Sequence, residues 1–236
     1  MRKWQIRFDE TDAHDGAEAR FIKSCGFDLS RAKHKRMFEM GKKVREDGMA
    51  GIDIRAILSF YDADIFEDNR IKIGEESLTF PYLTRISPKS VSGIYFYILT
   101  VGECLFSSEE NIMDFLYADI WGTSYVDSSM ELVREKIAED MKKNITSVEE
   151  PYLSEEFGPG YFGMDVADSK KIMRALNGND IGVKVKDSGL MIPQKSCVGF
   201  FFVCNEPGFK TERSCIKCRG NSKGCEFCKK AEQMEG

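Results

Sequence analysis

Histidine is scarce in this chain: His14 and His34 are the only two among 236 residues. Neither stands at a spacing from cysteine or glutamate that would make a catalytic pair, so both are expected on the surface. The sequence has no Gly-x-x-x-x-Gly-Lys-Ser/Thr loop, no Gly-x-Ser-x-Gly elbow and no His-Glu-x-x-His. A self-sufficient kinase or hydrolase is therefore not expected. No apolar run approaches the ~20 residues of a membrane-spanning helix. The opening residues Met1-Arg2-Lys3-Trp4-Gln5-Ile6 lack the apolar centre of an export signal. A cytoplasmic protein with no membrane contact is the expectation. A basic excess is missing too: the net charge of −5 weighs against a general nucleic-acid partner. Internal repeats and low-complexity tracts are also absent.

What is present is ordinary globular composition, with 42% hydrophobic and 31% charged residues. The acidic stretch 9–16 reads as a turn, and 17–25 as a short helix closed by Gly26. Residues 30–45 have helix formers behind Ser30 as N-cap, with a basic face of the kind usually solvated. Strands are expected at 52–61, 71–73, 77–80, 92–101, 181–186 and 197–204, the run at 92–101 being apolar enough for a strand covered on both faces. Between 111 and 143 the spacing predicts one or two helices, with Ile112, Phe115 and Leu116 on one face and Met130, Val133 and Ile137 on another. Gly122, Thr123 and Ser124 point to a kink there or a close helix–sheet approach. A loop is expected over 144–160 and a short helix over 168–176, capped by Asp165 or Asp168. The sum is an α+β fold, a mixed or antiparallel twisted sheet with packed helices, over residues 1–204. A short Cys-rich tail over 205–236 has no apolar core of its own.

Four of the eight cysteines fall in that tail, as Cys215-x-x-Cys218 and Cys225-x-x-Cys228. Two such pairs can close four thiolates round one ion. Tetrahedral zinc is the default for that donor set, an iron–sulfur cluster is also compatible, and a redox thiol role without metal stays open. Cys197 and Cys204 lie in an apolar strand, and Cys25 and Cys104 are isolated; these four are expected to be packing residues.

The segment Gly158-Pro159-Gly160-Tyr161 carries the other signal. Proline fixes its own φ, the flanking glycines let the chain turn and expose backbone groups, and the tyrosine offers an aromatic face and a hydroxyl. Those properties suit the wall of a site for a flat polar ligand, and equally a tight turn with a core tyrosine. The segment is followed by the helix around 170–176, by Ile181-Gly182-Val183-Lys184-Val185-Lys186-Asp187-Ser188, and by Pro193-Gln194-Lys195-Ser196-Cys197-Val198-Gly199. In this order the segments resemble the S-adenosylmethionine-binding reactivation (activation) domain of cobalamin-dependent methionine synthase, in its stand-alone form with cysteines after the last strand. The resemblance is good over 92–203 and holds only in spacing over 17–86.

The resemblance implies a protein that binds S-adenosylmethionine on its sheet and presents the methyl group to an oxidised corrinoid. The corrinoid (cobalamin) sits on a partner methyltransferase, and a separate reductant protein supplies an electron. Gly158, Pro159, Gly160 and Tyr161 would line the ligand loop, and Asp127 falls where the family has a glutamate for the ligand's amino group. The family arginine three residues before the proline falls at Glu156, which would repel the ligand carboxylate. Lys195 or Arg174 is then the candidate cation for it. The resemblance leaves two alternatives: a corrinoid-protein docking partner that has lost the ligand, and an iron–sulfur electron-transfer accessory.

Overall fold

The structure is a computed structural model that describes residues 1–48, 51–103, 111–145 and 150–205. At its centre is a five-stranded antiparallel sheet in the order β1-β2-β6-β10-β7, formed by β1 (Arg2–Arg7), β2 (Arg55–Asp62), β6 (Val91–Thr100), β7 (Tyr152–Leu153) and β10 (Ser196–Cys204). Between β2 and β6 a small antiparallel sheet is made by β3 (Phe66–Glu67), β4 (Arg70–Ile73) and β5 (Glu76–Leu78). A two-stranded ribbon, β8 (Lys184–Val185) with β9 (Met191–Ile192), precedes β10. The helices are α1 (Glu10–Ser24), α2 (Ala32–Gly48), α3 (Ile112–Asn144) and α4 (Ser169–Leu176). The expected α+β class with antiparallel sheets and packed helices is what forms.

Strands β2, β6 and β10 are apolar at nearly every position because the sheet is covered on both sides. One face presents Ala56, Leu58, Phe60, Tyr95, Tyr97, Leu99, Phe201 and Val203 to α1 and α3. The opposite face presents Ile57, Ile94, Phe96, Ile98, Phe200 and Phe202 to α4 and the small sheet. Fully burying each such side chain stabilises the fold by about 1.5–3 kcal/mol before entropy is charged against it.

Several elements differ from the sequence expectation. Residues 9–16 are not a turn: Asp9 caps α1 by accepting from the Thr11 amide at 3.1 Å, and Glu10 and Asp12 follow in the first turn. The same acidic residues that favour turns also favour helix N-termini. Ala13, Ala17 and Phe21 then recur every four residues on the buried face. Helix α3 is one continuous helix of 33 residues that runs through Gly122–Ser124. Further along, α3 approaches α1 closely: Ser128 donates to the Ala13 carbonyl at 2.7 Å, and a Cβ on Gly16 would lie 2.4 Å from Ser128 Oγ. Met130, Val133 and Ile137 are buried as expected, but Ile112, Phe115 and Leu116 are exposed. The expected strand over 181–186 is mostly a 3₁₀ turn (Gly178–Ile181) closed by Gly182 in the left-handed region, φ +73°, leaving two residues for β8. Ile181 and Val183 are buried there by the turn rather than by strand pairing. The loop expected over 144–160 contributes the edge strand β7. Strand β1, unforeseen, alternates half-buried with exposed residues, as an edge strand with one packed face does.

Among the described residues, no helix is long and apolar enough to cross a membrane. His34 is peripheral, accepting from the Asp28 amide through Nδ1 at 2.9 Å. His14 is not a plain surface residue. Its ring stacks on Trp121, and its Nδ1 lies 2.8 Å from the Tyr125 hydroxyl in the α1–α3 interface.

Candidate functional site

Helix α3 runs alongside β10, and the two advance in step. Lys195, just before β10, donates through Nζ to Asp119 at 2.7 Å and to Thr123 at 3.0 Å. Asp119, Thr123 and Asp127 stand at i, i+4 and i+8, on one helix face. One turn rises about 5.4 Å, and two strand residues advance about 6.6 Å. Asp127, one turn on, accordingly acts on Cys197, two residues on, through its charge. Further along, the Arg134 guanidinium lies 4.9 Å over the Phe201 ring and donates to the Ser154 carbonyl at 3.4 Å.

The Gly158–Tyr161 loop enters from the outer side of β10. Phe157 bridges to Phe200 through a pair of backbone bonds of 2.9 and 2.8 Å. There the loop passes so close to the strand that side chains are excluded. A Cβ on Gly158 would lie 2.9 Å from the Val198 carbonyl, and one on Gly199 would lie 2.3 Å from the Phe157 carbonyl and 2.7 Å from the Tyr97 hydroxyl. The chain then turns back, with the Tyr161 amide donating to the Gly158 carbonyl at 3.0 Å and the Met164 amide to the Tyr161 carbonyl at 2.9 Å. Gly160 at φ +88° and Gly163 at φ +82° permit this. Phe157 and Phe162 anchor the loop below, while the Tyr161 side chain stays 64% exposed.

Between α3, β10 and this loop the polar groups converge. Tyr97, wholly buried on β6, donates its hydroxyl to Glu156 Oε1. Burial, then the Glu156 carboxylate, Cys197 and Tyr161 hold the Tyr97 phenol well above its ordinary pKa. Burial first, then Glu156 and Asp127, push up the Cys197 thiol. Both groups are therefore protonated at neutral pH, and Cys197 is an unreactive thiol rather than a nucleophile. The leading charges acting on this pair all come from acids.

Of the residues singled out by sequence, Glu156 meets the Tyr97 hydroxyl, the charge of Tyr161 also acts on Tyr97, and that of Asp127 acts on Cys197. Gly158, Pro159 and Gly160 shape the loop beside them. Lys195 lies at the same face of α3 but is buried against Asp119, one to two turns from Asp127. Arg174 is elsewhere, paired with Glu76 at 2.7 Å. Cys215, Cys218, Cys225 and Cys228 lie outside the described residues. Among the described residues no group of three or more His, Cys, Asp or Glu could hold a metal ion. Tyr97 was not foreseen, because a tyrosine inside an apolar strand run reads as core. Gly199 stood inside the quoted motif, but its close approach to Phe157 and Tyr97 is visible only once β10, β6 and the loop are together.

No family model matches the chain. No curated protein matches it either. Among solved structures, its fold is similar to that of the MetH reactivation domain bound to AdoHcy, with a TM-score of 0.60 and 11% sequence identity, covering 88% of this chain and 80% of that one. The fold thus resembles that of the MetH reactivation domain. At this identity the likeness speaks for the fold alone.

Proposed function

We propose that this protein binds an S-adenosyl ligand of the S-adenosylmethionine kind where α3, β10 and the Gly158–Tyr161 loop meet. Docked on a corrinoid-binding methyltransferase or corrinoid protein, it would support reductive remethylation of the cobalt. The observation that carries the reading is the fold shared over 88% of the chain with a domain solved with AdoHcy. The exposed ring of Tyr161 offers a stacking face for an adenine, and the Asp127 carboxylate a partner for an ammonium group. This chain positions the ligand. The partner's corrinoid, when present, supplies the methyl acceptor, and a reductant protein supplies the electron that an oxidised cobalt requires.

Calorimetric titration with S-adenosylmethionine tests the reading. Saturable heat is expected, with affinity falling about tenfold in Tyr161→Ala, on the scale of a lost aromatic stack on a base. Folded protein that gives no heat with any S-adenosyl compound at millimolar concentration sinks it. That result would favour a docking partner that kept the fold and lost the ligand, a reading supported by Glu156 standing in the site with its carboxylate on Tyr97.

We also propose that residues 205–236 form a separate metal-binding tail, with Cys215, Cys218, Cys225 and Cys228 holding one zinc ion. Purified protein should then be colourless and contain about one equivalent of zinc, lost in Cys215→Ser and Cys225→Ser. A brown anaerobic preparation would instead favour an iron–sulfur electron-transfer accessory.

A further inference from the structure

Helix α2 carries its charges against its own dipole. A helix N-terminus is the positive pole, so acids are stabilising there and bases at the other end. Helix α1 follows the rule, with Glu10 and Asp12 in its first turn and Lys23 in its last. So does α3, with Asp114 at its start and Lys142 and Lys143 at its end. Helix α2 has no acid in its first turn, opens with Lys33, Lys35 and Arg36, and closes with Glu46 and Asp47 beside Arg45. Its cations are not compensated from elsewhere. Glu39 is the only acid between Arg31 and Arg45. Arg31 is paired with Asp28 and Arg45 with Glu10, but among the described residues no acid, Glu39 included, lies within ion-pair distance of Lys33, Lys35, Arg36 or Lys43. The inner face of α2 is spent on the core. Phe38 packs on Phe21 with ring centroids 6.3 Å apart, and the Gly41 carbonyl accepts from the Trp121 indole at 2.9 Å. Lys33, Arg36, Met40 and Lys43 then form one outward stripe at i, i+3, i+7 and i+10, all exposed, Met40 at 55%. A methionine ringed by cations has the make-up of a small interface core with a polar rim.

We propose that the outer stripe of α2 is a docking surface for an acidic face of a partner protein, whose carboxylates meet Lys33, Lys35, Arg36 and Lys43 around a contact on Met40. The proposal does not depend on the S-adenosyl reading. The pattern of the stripe selects the occupant. A bilayer takes up the apolar side of an amphipathic helix, and that side of α2, with Phe38 and Val44, is buried in the protein core. A nucleic-acid strand finds no Phe, Tyr or Trp on the stripe to stack on, and it meets the acids Glu39, Glu46 and Asp47 along the helix. A protein surface can set carboxylates, an apolar group and a base in matching places. Cations that oppose the dipole and one another cost the free chain stability, and an acidic partner turns that cost into rate and specificity of docking.

Two measurements on the full chain test it. In the free protein, Lys33→Gln, Lys35→Gln and Arg36→Gln combined should raise the folding equilibrium constant at least about threefold in low salt, since glutamine nearly matches lysine and arginine in helix propensity. Urea midpoints read the change. An unchanged or lowered constant overturns the proposal, because the cations then cost nothing and are an ordinary solvated face. For docking, the probe is a helical peptide of about 20 residues that sets glutamates around a central leucine, followed by fluorescence anisotropy at low salt. Saturable binding is expected, weakened about tenfold in the triple variant and several-fold in Met40→Ser, and lost as salt is raised. Lys142→Gln with Lys143→Gln, which neutralises exposed cations at the end of α3, should bind as the parent chain does. An equal loss in that control, or no binding to folded protein, overturns the proposal. Tighter binding of duplex DNA, or of phosphatidylcholine vesicles containing phosphatidylserine, also overturns it and gives the stripe to a phosphate surface. All of these outcomes leave the S-adenosyl site to its own titration.

Discussion

Tyr95 and Tyr97 stand two residues apart on the same face of β6, both wholly buried, both donating a hydroxyl to a carboxylate. Their surroundings differ in one respect. Tyr95 donates to Asp140 at 2.6 Å, and Asp140 is also clasped by Arg2 through two bonds of 2.8 Å and by Asn144 at 2.7 Å. That carboxylate has a cation and a full set of donors, and it pins the edge strand β1 to α3. Tyr97 donates to Glu156, and the charges that raise the Tyr97 phenol come from Glu156, Cys197 and Tyr161. A neutralised pair of this kind is a structural clasp. A buried phenol and thiol held protonated by neighbouring acids, as Tyr97 and Cys197 are, belong to the kind of perturbed group that gathers at binding sites.

Matched substitutions should separate the two. The largest effect is expected for Asp140→Asn, which leaves Arg2 without its counter-charge. A loss of about 2 kcal/mol is expected, tempered by the partial exposure of Arg2, and chemical denaturation measures it. Gly199→Ala comes next. Its Cβ would collide with the Phe157 carbonyl and the Tyr97 hydroxyl, so about 1–2 kcal/mol should be lost and ligand binding weakened together, read by denaturation and calorimetry. Glu156→Gln should change stability by less than about 0.5 kcal/mol, because it keeps an acceptor for Tyr97. A loss as large as that of Asp140→Asn would erase the contrast between the two phenols.

The smallest effect is one of pH. The Cys197 thiol and the Tyr97 phenol have folded pKa values above their ordinary values of 9.0 and 10.0. The unfolded chain therefore releases these protons first as pH rises. Stability from these groups is complete below about pH 9 and declines as pH climbs through 9–10 toward the folded values. Urea midpoints at pH 7 and pH 10 should show the fall, and Cys197→Ala should reduce it.

Much of the fold was legible because burial writes itself into the sequence. The apolar runs of β6 and β10 gave those strands within a residue, and the 3.6-residue spacing gave α3. Strand β1 was missed although Trp4, Ile6 and Phe8 alternate, since an edge strand packs only one face and its signal is half as strong. The acidic start of α1 was misread because aspartate favours turns and N-caps alike, and only the packing of Ala13, Ala17 and Phe21 on α3 decides between them.

At the site, the sequence by itself determined the loop. Proline fixes one dihedral and the glycines open others, whatever surrounds them, while Asp127 and Glu156 stand out only through the family resemblance. Only tertiary structure decided what those residues meet. That Tyr97 reaches Glu156, that Gly199 makes room for Phe157, and that Lys195 is taken by Asp119 are facts about strand register and about a helix advancing in step with a strand. Partners brought together across many tens of residues are set by packing, and no local rule of dihedral or propensity encodes them.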